Sequence, residues 1–274
     1  MESVSLRTGI TLRYLRQGDP SGVPVVLLHA WADTLRFFEP LLPLLPAWLH
    51  TLVPTQRGHG EADKPAAGYA LQDFSEDVAA FLDALNIAAA VIVGHSSGGY
   101  VAQRFALDHP DRVLGLVLVG SPKSLHGLRP SFTEAVESLR DPIDADTVRT
   151  IMSAMPLFQP VPEAFVDAMT SESAKVPAHV WKSTFAGLIA AEPPTETGTI
   201  TTPTLILWGE SDQLLPRHEQ EALVAAIPGS VLVAYEGTGH LVLWEQPARV
   251  ASDLTSFVSR LKGPGGSPVH EPAR

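Results

Sequence analysis

The stretch that decides the fold reads Val91-Ile92-Val93-Gly94-His95-Ser96-Ser97-Gly98-Gly99-Tyr100-Val101. Its first three residues form a continuous apolar run, which suits a strand that is buried on both faces. A helical stripe follows, made of Val101, Ala102, Phe105 and Ala106. Gly-x-Ser-x-Gly between a strand and a helix is typical of a sharp turn that presents a reactive serine. We therefore predict Ser96 as a nucleophile, the alternative being a glycine-rich turn that binds phosphate or only turns.

Short apolar runs alternate with amphipathic segments along the rest of the chain. Strand-like runs lie at 25–28, 52–53, 91–93, 113–119, 204–208 and 231–233, after a hairpin formed by 4–6 and 12–14. Stripes of helical period lie at 74–85 and 250–261. This alternation predicts an α/β fold with a mostly parallel, doubly wound sheet.

One region lacks strands and is cut by prolines. Between residues 119 and 202 we find nine prolines and many bulky apolar side chains, and a structureless loop of that length is improbable. We predict an inserted helical cap at 122–201, with the core formed by 1–121 and 202–262. The glycine- and proline-rich end, 263–274, is predicted to be a flexible tail.

Composition excludes several classes of function. The 274 residues carry 19 Lys and Arg against 30 Asp and Glu, a net charge of −11, and no basic strip that would bind nucleic acid. There is no cysteine, which excludes disulfides, thiolate metal sites and a cysteine nucleophile. The sequence shows no secretory signal, no membrane-spanning run, no metal-binding cluster and no dinucleotide or phosphate-binding motif. We therefore expect a cytoplasmic protein that uses no metal or other cofactor; its oligomeric state is not indicated.

A serine nucleophile needs a base, and we choose among ten histidines. His240 follows the strand-like run 231–233 and precedes the last helix, which places it at the carboxyl edge of the sheet with Ser96. His29 and His59 lie in other loops and are weaker candidates. His95 neighbours the serine in sequence, so its side chain is expected to point elsewhere.

The base in turn needs a carboxylate to orient it and to stabilise its charged form. Asp212 lies shortly after the strand-like run 204–208, at the same sheet edge, with Glu210 as a competitor. The other place for such an acid, Gly120-Ser121-Pro122-Lys123, holds no carboxylate. We therefore predict the triad Ser96, Asp212 and His240.

With these residues in view, the chain resembles the α/β-hydrolases, in the branch of serine esterases, lactonases and carbon–carbon hydrolases. The matching motifs are Leu27-Leu28-His29, Arg57-Gly58-His59-Gly60-Glu61-Ala62-Asp63, Gly94 to Gly99, His109-Pro110-Asp111-Arg112-Val113, Trp208-Gly209-Glu210-Ser211-Asp212, and Gly239-His240 with Glu245 and Pro247. The resemblance runs from about residue 6 to residue 261. It implies the α/β-hydrolase fold and triad, but it does not select a substrate.

The resemblance also implies an oxyanion hole made of two backbone N–H groups. They belong to Ser97, after the nucleophile, and to Trp31, in the loop His29-Ala30-Trp31. Ala30 stands where the family usually has glycine, so a slightly different loop shape is expected, because alanine enters positive φ only at a cost. Asp33, just past the loop, is a weaker candidate for contacting a ligand.

We expect an apolar cleft that takes a small to medium carboxylic ester or lactone. The substrate-contacting residues are predicted as Trp31, Phe132, Met155, Phe158 and Trp181. Hydrolysis would proceed through an acyl-enzyme on Ser96. The alternatives are cleavage of a carbon–carbon bond in a β-diketone by the same triad, a cofactor-free dioxygenase, and a hydrolase-fold ligand receptor.

Overall fold

The computed structural model describes residues 1–261, so the predicted tail at 263–274 lies outside the described residues. The strands are β1 (Glu2–Ser5), β2 (Thr11–Gly18), β3 (Val23–Leu28), β4 (Leu49–Pro54), β5 (Ala90–His95), β6 (Val113–Val119), β7 (Thr204–Gly209) and β8 (Val231–Tyr235). Every strand-like run of the sequence corresponds to one of them. The run at 52–53 lies within a longer strand, in which the polar side chains of His50 and Thr51 are also buried.

Within residues 1–261 these strands form one sheet in the order β1-β2-β4-β3-β5-β6-β7-β8. The hairpin β1–β2 and the pair β2–β4 are antiparallel, and all the other pairs are parallel. The chain changes direction across the sheet at β3. β4 lies on one side of β3 and β5 lies on the other, and β6, β7 and β8 then follow in order outward from β5. Ligands bind at the carboxyl ends of such strands, next to the point of reversal.

Helices cover both faces of the sheet. They are α1 (Leu71–Ala84), α2 (Ser97–Asp108), α3 (Thr133–Ser138), α4 (Ala145–Met152), α5 (Glu163–Ala174), α6 (Ala178–Ala190), α7 (Pro194–Thr197), α8 (Arg217–Ala226), α9 (Val242–Glu245) and α10 (Pro247–Leu261). Alternate strand residues point to opposite sides: Ile92 packs into the core that contains α1, α2 and α8, and Val93 into the core that contains α10. The predicted doubly wound α/β fold is therefore confirmed.

The segment from 120 to 203, all of it described, contains helices α3 to α7 and no strand. We call this segment the insert. Its assignment as a separate cap with bounds at 122 and 201 stays a prediction. Among residues 1–261, none of the helices combines the length and the apolar character that crossing a bilayer requires.

Candidate active site

Ser96 lies at the junction between β5 and α2, in a backbone conformation that serine rarely adopts. Its φ of +50° and ψ of −120° fall outside the usual regions, which costs on the order of 1–3 kcal/mol and is typical of functional sites. The adjoining glycines make the turn possible. A Cβ on Gly98 would lie 2.3 Å from the backbone oxygen of Leu28, and one on Gly94 would lie 2.3 Å from that of Gly98. The turn therefore requires the glycines.

His240 and Asp212 form a buried pair at the same edge. The imidazole Nδ1–H donates to Asp212 Oδ2 at 2.7 Å, and Asp212 Oδ1 accepts the backbone N–H groups of Leu214 and Leu215, each at 2.9 Å. Burial alone would raise the pKa of Asp212. The charge and hydrogen bond of His240, together with these two N–H groups, outweigh it and hold the pKa below its usual value. The carboxylate therefore stays ionised and oriented.

The other ring nitrogen, Nε2 of His240, is buried and has no hydrogen-bond partner among residues 1–261. His240 and Ser96 line the same cavity. No hydrogen bond joins Ser96 Oγ to Nε2 within the described residues, so proton transfer requires a shift of the serine or the imidazole. Such contacts are often long in ligand-free active sites and tighten when substrate binds.

His95 holds the histidine loop in place. Its ring stacks on Phe37 with centroids 4.6 Å apart, and its Nε2–H donates to the backbone oxygen of His240 at 3.1 Å. Burial, helped by the proximity of His240, lowers the pKa of His95 to about 3. His95 is therefore neutral and supports the loop that carries His240.

The two weaker histidine candidates are fully engaged by the backbone. In both His29 and His59, Nδ1 bonds a backbone carbonyl, while Nε2 accepts the N–H of Gln56 at 2.9 Å or of Ala32 at 3.1 Å, respectively. Burial lowers the pKa of His29 to about 3 and that of His59 to about 4. Neither has a ring nitrogen left to take a proton from serine.

Other polar side chains of the matching motifs make structural contacts. Glu210, the competitor of Asp212, pairs with Arg217 on the surface at 2.9 Å. Arg57 donates two hydrogen bonds of 2.6 Å to the buried carboxylate of Asp77 and so fastens its loop to α1. Neither group lines the cavity with Ser96 and His240.

The loop that was predicted to complete the oxyanion hole has an unexpected contact. The backbone N–H of Trp31 donates to the hydroxyl of Ser97 at 2.7 Å, so this donor is already occupied. Ala30, which stands where the family usually has glycine, keeps an ordinary backbone conformation. Ala30 does not have a positive φ, whereas Ala32 does, at +65°, in a turn closed by the N–H of Asp33 and the oxygen of Ala30 at 3.2 Å.

A cavity of about 530 Å³ opens at Ser96 between the sheet edge and the insert. Of the predicted substrate contacts, Trp31, Phe132, Met155 and Trp181 line it. The ring of Trp31 packs against Phe132 at 5.9 Å, Trp181 at 4.8 Å and Phe185 at 5.2 Å, and Phe185 was not predicted. The cavity wall near Ser96 is therefore aromatic, and its residues come both from the loop after β3 and from the insert.

Phe158, the fifth predicted contact, does not line the cavity and is 43% exposed. The reason is a contact of its backbone. The N–H groups of Phe158 and Gln159 donate to Glu245 Oε2 at 2.8 and 2.9 Å, while Glu245 Oε1 accepts the N–H of Gly239 at 2.9 Å. This fastens residue 158 beside the loop of His240, with its ring outside the cavity.

Asp33 lines the cavity and makes no side-chain hydrogen bond within the described part of the chain. Burial raises its pKa well above the usual value. Asp33 therefore adds a carboxyl group to a mostly apolar wall.

A family model for the α/β-hydrolase fold matches residues 23–247, which include Ser96, Asp212 and His240. The chain belongs to the α/β-hydrolase family. The predicted family and fold are confirmed, and the protein is an enzyme of this family.

Named relatives of this α/β-hydrolase differ in activity. The non-heme chloroperoxidase of Streptomyces lividans is 28% identical, covering 94% of this chain and 99% of that protein. The 2-hydroxy-6-oxononadienedioate/2-hydroxy-6-oxononatrienedioate hydrolase of Klebsiella pneumoniae is 27% identical, covering 86% of this chain and 87% of that protein. Among solved structures, Est816, an N-acyl homoserine lactone degrading enzyme, superposes with a TM-score of 0.78 and 29% identity over 93% of this chain and all of that one.

The stabilising roles of two residues at the site of this α/β-hydrolase could not be predicted from the sequence. His95 was predicted only to point away from the serine, and Glu245 was noted only as part of a family pattern. A buried carboxylate that accepts three backbone N–H groups leaves no periodic signal. Its only trace in the sequence is an acidic residue in an otherwise apolar segment, Leu241 to Trp244.

Proposed function

We propose that this α/β-hydrolase cleaves a small to medium apolar carboxylic ester or lactone through an acyl-enzyme on Ser96. One observation carries the proposal. His240 is fixed by Asp212 at 2.7 Å on one ring nitrogen, and its other nitrogen has no partner among residues 1–261, beside a cavity that Ser96 also lines. A base in this state is suited to take the proton of a serine hydroxyl.

The reaction follows from these positions. Ser96 Oγ attacks the carbonyl carbon while its proton passes to His240 Nε2, and the carboxylate of Asp212 stabilises the imidazolium. The tetrahedral intermediate then collapses, and Nε2–H protonates the departing alkoxide. Water, which gives a proton to the same imidazole, attacks the acyl carbon; the second tetrahedral intermediate then collapses, Nε2–H returns the proton to Ser96 Oγ, and the acid is released.

The walls of the cavity support an apolar substrate of limited size. About 530 Å³ lies within the range of small-molecule sites, and the aromatic side chains of Trp31, Phe132, Trp181 and Phe185 contribute to the lining. Arg129 also lines it, but its side chain is 68% exposed and pairs with Glu137, so it is poorly placed to neutralise a buried anion.

The test is hydrolysis of a p-nitrophenyl ester series from acetate to dodecanoate, beside a panel of γ- and δ-lactones. We expect the highest kcat/KM on short and medium acyl chains and a loss on the order of 10⁶-fold in Ser96→Ala. Ser131→Ala removes another hydroxyl that lines the cavity and is expected to stay close to the wild-type rate. Equal turnover by Ser96→Ala and the wild type would refute the serine mechanism.

A second candidate, hydrolysis of a carbon–carbon bond in a β-diketone, is favoured by the Klebsiella pneumoniae relative. Parallel assays on a β-diketone and on the preferred ester decide between the two by their kcat/KM. Oxygen uptake with a heteroaromatic substrate would instead indicate the dioxygenase, and a thermal shift without turnover would indicate the receptor. The cytoplasmic location stays a prediction.

A further inference from the structure

Ser97 places a side-chain hydroxyl at the oxyanion loop. Its Oγ accepts the backbone N–H of Trp31 at 2.7 Å. A backbone amide carries one proton, so in this arrangement Trp31 has no donor left for a developing oxyanion. The second backbone donor that the family resemblance implies is thus occupied by a neighbouring side chain.

The hydroxyl that occupies it still has a proton to give. A serine hydroxyl accepts through its lone pairs and donates through its O–H at the same time. Within residues 1–261 the O–H of Ser97 has no acceptor. Ser97 lines the cavity together with Ser96, so an unused donor lies next to the nucleophile.

The Trp31 side of this contact is held firmly. The indole N–H of Trp31 donates to the backbone oxygen of Trp181 at 3.0 Å, and the ring packs against Phe185. The next backbone N–H, that of Ala32, donates to His59 at 3.1 Å. Turning the Trp31 amide toward a substrate would break these contacts, so the bond to Ser97 is expected to persist during turnover.

We propose that the hydroxyl of Ser97, polarised by the N–H of Trp31, donates the second hydrogen bond to the oxyanion. The first comes from the backbone N–H of Ser97, which begins α2 and so has no acceptor within the helix. The proton stays on Ser97 throughout, and only a hydrogen bond forms. This inference rests on the proposed function, because it concerns the same tetrahedral intermediate.

The chemistry favours this arrangement. An O–H group that already accepts a hydrogen bond becomes a better donor, since successive hydrogen bonds polarise one another. Donation to a negatively charged oxygen is also stronger than donation to a neutral carbonyl, so the contact stabilises the intermediate more than the bound substrate. Ser97 is therefore assigned a catalytic role through both its backbone and its side chain.

Ser97→Ala and Ser97→Thr separate the hydroxyl from the backbone donor. Two rates are measured: labelling of Ser96 by a fluorophosphonate, which places a phosphoryl oxygen in the same hole, and kcat on p-nitrophenyl butyrate. Loss of one oxyanion donor costs on the order of 10²–10³ in kcat. We expect Ser97→Ala to lose about 10²-fold in both rates with KM within about twofold, and Ser97→Thr to react at least tenfold faster than Ser97→Ala.

A trifluoromethyl ketone, whose adduct with Ser96 carries an oxyanion, should bind more weakly to Ser97→Ala in proportion to the lost rate. Labelling by Ser97→Ala at or above the wild-type rate would overturn the proposal, as would equal rates in the two variants. Either result would mean that substrate displaces the hydroxyl and uses the Trp31 N–H directly. Labelling of the wild type without ester turnover would contradict the proposed function alone, and no labelling would contradict both.

Discussion

Glu245 offers the sharpest test of how the site is held together. Its buried carboxylate bridges two parts of the chain, accepting the N–H of Gly239, beside His240, and those of Phe158 and Gln159, in the insert. Hydrogen bonds to a charged group contribute about 1.5–3 kcal/mol each when buried, and less when partly exposed. We take about 2 kcal/mol for the hydrogen bond from Gly239 and about 1 kcal/mol for each of the two half-buried donors. Glu245→Ala should then lower the free energy of unfolding by about 4 kcal/mol.

In a chain of this size, a loss of about 1 kcal/mol in the free energy of unfolding lowers Tm by roughly 2–4 °C. Glu245→Ala should therefore lower Tm by roughly 8–16 °C. Glu245→Gln is nearly isosteric, but its –NH₂ group faces backbone N–H donors on one side and cannot accept from them. We therefore expect about half of the fall in Tm. Because His240 follows Gly239, kcat should also fall by about 10- to 100-fold, as expected for a misplacement of about 1 Å.

Calorimetry and ester turnover on the same samples provide the measurement. Glu236→Gln is the matched control, because Glu236 lies exposed at the start of the same loop and should change stability by less than about 0.5 kcal/mol. If Glu245→Ala and Glu245→Gln both melt within 2 °C of the wild type, the three hydrogen bonds do not hold the loop, and the reasoning fails.

Three further predictions follow from the site. Asp212→Asn should place an amide N–H against His240 Nδ1, favour the wrong tautomer and lower kcat by about 10⁴-fold without altering KM much, as measured by steady-state kinetics. Asp33→Asn should raise Tm increasingly as pH rises above about 3.8, because the raised pKa of Asp33 makes the folded state lose stability through that window; equal Tm differences at pH 4 and pH 8 would contradict this. Phe158→Ala should leave kcat/KM for apolar esters within about twofold, whereas Trp181→Ala should lower it at least tenfold, since only the second side chain lines the cavity.

The fold could be predicted because its signals are local and periodic. The apolar run at 91–93, the glycine turn and the helical stripe that begins at Val101 each specify one element, and their order specifies a doubly wound sheet. The same logic located Asp212 and His240, because residues that follow parallel strands must meet at one edge of the sheet. The structure brings these two together at 2.7 Å.

Side-chain direction in the insert could not be predicted. Phe158 lies between helices, where no periodicity tells which way a ring points, and its place is set by hydrogen bonds to a residue 87 positions away. The bond from Trp31 to Ser97 is equally hidden, because it depends on one serine rotamer and on the approach of two loops. The sequence predicts which residue types lie there, but only the structure shows which acceptor each donor bonds.

The indole of Trp31 has a consequence for how this enzyme can diversify. It is bonded to the carbonyl of Trp181, in α6, while its own amide lies at the oxyanion loop. If the proposed function holds, changing the helices of the insert to accept a different acyl group will therefore also disturb the loop proposed to bind the oxyanion. A change in substrate selectivity is therefore expected to change kcat as well. We expect variants selected for a new substrate to need compensating substitutions around the indole of Trp31 before their kcat recovers.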